Sequence, residues 1–309
     1  MKTTSTILLV SLAAAVGASP LARADGEPCA PSDVQQAETL VRQAEEAEKA
    51  GRSKEAYNAA TGRTSWHCAK NGYQRRNGLI ERTSKKLGNE AEHAGRYGEA
   101  FEYYRTPQHH GRGDQNLADA DRALLKQVKA QPGDYKVVSF AAGYFAQRGI
   151  NGNLDATRAV AKASGENALA VEAKAFAASR QSLKELQQAR DWFEITGDVS
   201  PVNARAVQRG DALLAHGAFR SVERAFGYYD FAQDESRRKK AQDRARRLGD
   251  EHVKTGETAV AAQFYMLAGD EAKAAALEKK RESRDDKAEA KRREQFKKDQ
   301  KSLEKELGL

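Results

Sequence analysis

Few groupings of side chains in this sequence could do chemistry. His67-Cys68 is the one Cys-His pair. It reads either as a thiolate nucleophile beside a base or as half of a disulfide next to an incidental histidine. The other cysteine is Cys29, and in an oxidising compartment the pair is expected to be bonded. His109-His110 precedes Gly111-Arg112-Gly113-Asp114, which suggests a metal or adhesion loop. Adjacent histidines point apart on any regular backbone, so a polar loop with Asp114 capping the next helix is the better reading. Arg-Gly-Asp recurs at Arg209-Gly210-Asp211 inside a helical pattern, which marks the tripeptide as chance. Glu90 and Glu251 could tempt a muramidase reading, but they follow matching Leu-Gly pairs, which argues for a structural origin. No Gly-rich phosphate loop, metal-spaced Cys/His set or Gly-x-Ser-x-Gly appears. No catalytic residue, metal or cofactor is therefore expected.

Charge and aromatic residues leave two binding candidates. Arg237, Lys240, Arg244 and Arg247 recur at helical spacing on one face, beside an apolar face of Ala241, Ala245 and Leu248. Such a face suits an acidic partner or an anionic envelope polymer. An ordinary solvated helix face is the competing reading. Aromatics gather at Tyr97, Phe101, Tyr103 and Tyr104, and again at Phe219, Phe226, Tyr228, Tyr229 and Phe231. One tyrosine of each adjacent pair is expected to face solvent, which makes Tyr103 and Tyr228 candidates for partner contact.

The elements that must hold these residues are helices. The chain is rich in Ala, Glu, Lys, Arg and Gln and has only 6 prolines. Helical stretches of ten to twenty residues are punctuated at Asn71-Gly72, Gly95, Pro132-Gly133, Gly149, Gly165, Gly197, Gly217, Gly256 and Gly269. The first helix should run from Ser32-Asp33 to Gly51, and the second from Ser53 to just before Asn71. An antiparallel hairpin of this kind returns Cys68 to Cys29. The bond would close a loop of about forty residues and contribute roughly 3–4 kcal/mol on the chain-entropy model.

The start of the chain carries an export signal in this reading. Lys2 precedes an apolar run over residues 7–16, too short to span a bilayer, and Ala22 and Ala24 flank a cleavage point after Ala24. Loss of Lys2 and Arg23 lowers the net charge from +8 to +6. The mature chain is expected in the periplasm or outside the cell, without stable membrane insertion. Nucleic acid is a poor partner for an exported chain, despite a pI near 9.3.

An internal repeat underlies the helices. Leu87-Gly88, Gly95, Ala100 and Tyr104 match Leu248-Gly249, Gly256, Ala261 and Tyr265 in spacing. A third copy keeps Gly210 and Gly217, with Phe219 and Phe226 at the aromatic positions and Val222 at the alanine position. A fainter copy surrounds Gly51, with Ala56 and Tyr57. The first glycine should let two helices approach, and the second should end a helix in a left-handed cap. The aromatic should fill the gap towards the next hairpin. Leu87, Gly88, Gly95, Tyr97, Ala100 and Tyr104, with Leu248, Gly249, Gly256, Ala261, Tyr265 and Ala268, resemble the tetratricopeptide repeat family, although both copies lack that family's early Trp. The resemblance implies an all-α, right-handed solenoid of stacked antiparallel hairpins that binds protein or peptide on a concave face.

From Asp270 the sequence runs to Gly308 without Gly or Pro and becomes almost wholly charged after Leu277. Glu289 with Arg293, and Glu294 with Lys298, are favourable four-apart pairs, which favours a long solvated helix over a disordered tail. The expected organisation is a signal at 1–24, a helical-repeat domain at 25–277 and a charged helix at 278–309. The expected function is an exported scaffold that binds a protein or an envelope component. An envelope-processing enzyme and a binder of anionic polymer are the alternatives.

Overall fold

The computed structural model describes residues 29–62, 66–109, 116–178 and 183–307. The segment read as an export signal, and His110 to Asp114, lie outside the described residues. Among the described residues there are only helices and their turns. In order these are α1 (Pro31–Lys49), α2 (Ser53–Thr61), a 3-10 turn (Trp66–Cys68), α3 (Gly72–His93), α4 (Tyr97–His109), α5 (Leu117–Ala130), α6 (Tyr135–Gln147), α7 (Asn151–Ala177), α8 (Lys184–Thr196), α9 (Ser200–His216), α10 (Phe219–Ala232), α11 (Glu235–Lys254), α12 (Thr258–Leu267) and α13 (Glu271–Leu307). The expected all-α architecture of paired helices is what forms: α1 packs on α2, α3 on α4, α7 on α8, α9 on α10 and α11 on α12. The chain divides into two compact units, residues 1–124 and 125–309, with the division inside α5. No helix among the described residues is long and apolar enough to cross a membrane.

The turns explain why the helices pair. At Gly95 and Gly256 the backbone is left-handed, with φ of 72° and 81°. The amide of the next residue then reaches back five residues: Arg96 N–H donates to Ala91 O at 2.8 Å, and Glu257 N–H donates to His252 O at 2.9 Å. These bonds satisfy carbonyls that a helix end otherwise leaves open, and they reverse the chain within three residues.

Within a pair, the repeat positions form a seat. A methyl group on Gly88 would lie 2.5 Å from Tyr104 Cε1, and one on Gly249 would lie 3.0 Å from Tyr265 Cε1. The aromatic ring fills the space its own hairpin's glycine leaves, and does not bridge to the next hairpin as expected. Two further seats exist. In the third copy the ring over Gly210 belongs to Tyr229, at 2.6 Å, and not to Phe226. The second helix is engaged one turn further along there. On α7, Gly165 receives Phe193 of α8, at 2.7 Å. In the first hairpin the corresponding positions are Ala44 and Ala60, both fully buried in one cluster with Leu79 and Ile80. Two small residues there replace the glycine and the ring.

The second helix is shorter than expected. Gly62 takes an extended conformation and stops α2, so Cys68 sits in a separate 3-10 turn. Cys68 still meets Cys29, with Cα atoms 5.7 Å apart and the two sulfurs bonded.

Candidate functional site

Of the charged residues that the sequence offered for binding, Arg237 takes part in a set of ion pairs that hold one hairpin to the next. A cation on each of several odd-numbered helices reaches back to an acid on the preceding odd-numbered helix. Arg75 of α3 holds Glu45 of α1 through two bonds of 2.8 Å, and Glu38 at 2.9 Å. Arg82 holds Glu48 at 2.7 and 2.8 Å. Arg122 of α5 holds Glu92 of α3 at 3.1 and 3.0 Å. In the second unit, Arg209 of α9 holds Glu172 of α7 at 2.9 and 3.1 Å. Arg237 of α11 pairs with Asp211 of α9. Lys273 of α13 approaches Asp250 of α11 at 3.8 Å. In all of these pairs the acid lies on the earlier helix and the cation on the later one.

Three of these pairs join a seat to the following hairpin. Tyr104 Oη lies 2.7 Å from Asn89 Oδ1 and 2.9 Å from Glu92 Oε2. Tyr229 donates to Asp211 at 2.9 Å, and Tyr265 to Asp250 at 2.5 Å. Asn89, Asp211 and Asp250 each directly follow a seat glycine. The ring occupies the glycine's space, its hydroxyl meets the adjacent acid or amide, and the next hairpin supplies the cation. Each cation also pairs with an acid three residues earlier on its own chain: Asp119, Asp234 or Asp270. Burial is the main cause that holds the three phenols above their ordinary range, and the neighbouring carboxylate adds to it. Tyr265 is pushed up to about 12.

This arrangement divides the basic face of α11. Arg237 is committed to Asp211 and Asp234. Arg244 lies 3.9 Å from Glu251. Lys240 is exposed with no ion pair among the described residues, and Arg247 is exposed with only a long bond to the Asp243 carbonyl, 3.4 Å. The Arg209-Gly210-Asp211 tripeptide is packing machinery: its members hold Glu172, seat Tyr229, and receive Tyr229 and Arg237. Glu90 and Glu251 are both exposed.

The expectation that one tyrosine of each adjacent pair faces solvent is overturned. Tyr103, Tyr104, Tyr228 and Tyr229 are all buried. Neighbouring positions on a helix point about 100° apart, and α4 and α10 are each covered on two sides. Tyr104 faces α3, whereas Tyr103 meets α2, edge-on to Tyr57 at 5.3 Å and bonded to Lys54 Nζ. Tyr229 faces α9, whereas Tyr228 meets Phe176 of α7 edge-on at 6.4 Å. Burial raises the Tyr228 phenol, with the negative charge of Glu172 adding to the effect.

The residues that sequence reasoning passed over are Glu172, which is almost fully buried, and the acids after the seat glycines. A signal for the acids was present, because Asn or Asp follows glycine in each copy that carries a tyrosine seat. No protein-family model matches the chain, and no curated protein matches it in sequence. The likeness to tetratricopeptide repeats therefore rests on the repeat residues and the paired helices.

Proposed function

We propose that the protein is an exported helical-hairpin scaffold that binds a protein or a component of the cell envelope. The observation that supports this most is the use made of its polar groups. Glu45, Glu92, Glu172, Asp211 and Asp250 each pair with a cation of the next odd-numbered helix. Within each unit this braces successive helices against one another, which suits contact over a broad surface. The Cys29–Cys68 bond supports an oxidising destination.

Capture of crosslinked partners from an envelope extract by immobilised mature chain, residues 25–309, tests the proposal. The expected result is a protein or envelope component retained by the folded chain and lost when the chain is unfolded in urea. Turnover of wall material by the purified chain would replace the scaffold with an enzyme. The exposed Lys240 and Arg247 favour a second reading, a contact with anionic polymer. If that reading holds, Lys240→Glu with Arg247→Glu abolishes retention on an anionic resin in low salt while the helical signal stays intact.

A further inference from the structure

The Cys29–Cys68 bond brings two sulfurs beside one imidazole. The Sγ atoms of Cys29 and Cys68 and a ring nitrogen of His67 all lie within 4.8 Å of one another. The surrounding frame does not rest on the S–S bond alone. Cys68 packs against Ala37, Val41, Trp66 and Ala69. Across the same junction, Lys70 N–H donates to Glu38 at 2.6 Å, and Arg75 bridges Glu38 to Glu45. The two chain segments therefore stay in register when the bond is opened.

Zinc takes thiolate sulfur at about 2.3 Å and imidazole nitrogen at about 2.0–2.1 Å, which places these ligand atoms on a tetrahedral ion roughly 3.5–3.8 Å apart. Cα atoms 5.7 Å apart allow the two sulfurs to open to that spacing. His67 is exposed, so its ring can turn inward, and both cysteines are partly exposed, which gives an ion a way in. We propose that the reduced chain carries a Cys2His site for a thiophilic divalent cation such as Zn2+, with the fourth position left to solvent, and that the disulfide closes this site. A dithiol reductant supplies two electrons and two protons to the bond and itself becomes a disulfide. The cation then displaces the two thiol protons, and both sulfurs bind as thiolates. In the oxidised chain the sulfurs share their bond and have no thiolate to offer.

The experiment uses the full mature chain, reduced by an immobilised phosphine under nitrogen and freed of reductant before Zn2+ is added. One equivalent is expected to bind per reduced chain, and none to the oxidised chain. Co2+ in place of Zn2+ should give a thiolate-to-metal charge-transfer band. His67→Ala should weaken binding by about tenfold or more, and Cys29→Ser with Cys68→Ser should abolish it. The proposal is overturned if reduced wild type and the double-serine variant bind alike, or if His67→Ala leaves affinity unchanged. Hydrogen exchange over residues 29–80 guards against a folding artefact. Protection there should survive reduction, as the contacts around Glu38 and Trp66 require, and its collapse on reduction also overturns the proposal.

Discussion

The hairpins α3–α4 and α11–α12 set the same residues to the same task and differ in how tightly they do it. In α3–α4 an added methyl at Gly88 would lie 2.5 Å from the Tyr104 ring, and the hydroxyl is clasped by both Asn89 and Glu92. Arg122 then grips Glu92 with two bonds, and Glu92 is only 10% exposed. In α11–α12 the corresponding gap at Gly249 is 3.0 Å, the hydroxyl has Asp250 as its partner, and Lys273 stands 3.8 Å away with half its side chain in water. A planar guanidinium makes a two-point brace, whereas an ammonium acts as a point charge. The motif alone therefore does not set the strength of a joint. The following helix does, through the kind of cation it brings and how far it covers the acid.

The largest effect is expected where that cover is most complete. Glu172→Ala removes a carboxylate that is 2% exposed and leaves the partly buried Arg209 guanidinium beside Phe176 without its carboxylate partner. Destabilisation of the second unit by about 3–5 kcal/mol is expected, read from urea unfolding in a Trp66→Phe background so that Trp192 reports. Gly88→Ala should cost about 2–3 kcal/mol, because the ring has nowhere to retreat. Gly249→Ala should cost about 1 kcal/mol, and equal losses at the two glycines would break the comparison. Lys273→Ala should change stability by less than about 1 kcal/mol and vanish in high salt, since the pair is half exposed. At neutral pH the smallest contrast is the phenol of Tyr265. Its folded pKa, about 12, lies above the ordinary value of about 10, so its contribution is complete below pH 10 and is lost as pH rises from 10 through 12. The melting temperature of wild type should fall over that range more steeply than that of Tyr265→Phe.

The helices, the two cysteines and the recurrence of Gly88 with Tyr104 and of Gly249 with Tyr265 were legible because each leaves a mark in sequence spacing, although the rings were expected to face the next hairpin and not their own glycines. Helical spacing, a left-handed turn and a ring sixteen residues after its glycine all leave a local trace. Phe193 was not legible as the partner of Gly165, because α7 is 27 residues long and pushes the ring far beyond the usual interval. Tyr229 was missed because α10 is engaged one turn later than the repeat suggests, so a correct count pointed to Phe226. The partner of Arg237 was not legible for a different reason. From sequence it is one of four cations on a face, and only the neighbouring helix reveals that Asp211 already holds it. The tyrosine expectation assumed one covered side per helix, whereas a helix inside a stack has two.

The one-way order of the ion pairs bears on how the chain is made. Glu45, Glu92, Glu172, Asp211 and Asp250 all await a cation that is synthesised later. An incomplete chain that has folded up to any of these points ends with a carboxylate whose inter-helix cation has not yet been made. The matching cation is supplied by the chain's own next odd-numbered helix. The sequence order of charge thus closes each of these joints from the C-terminal side, in the direction in which the chain is made.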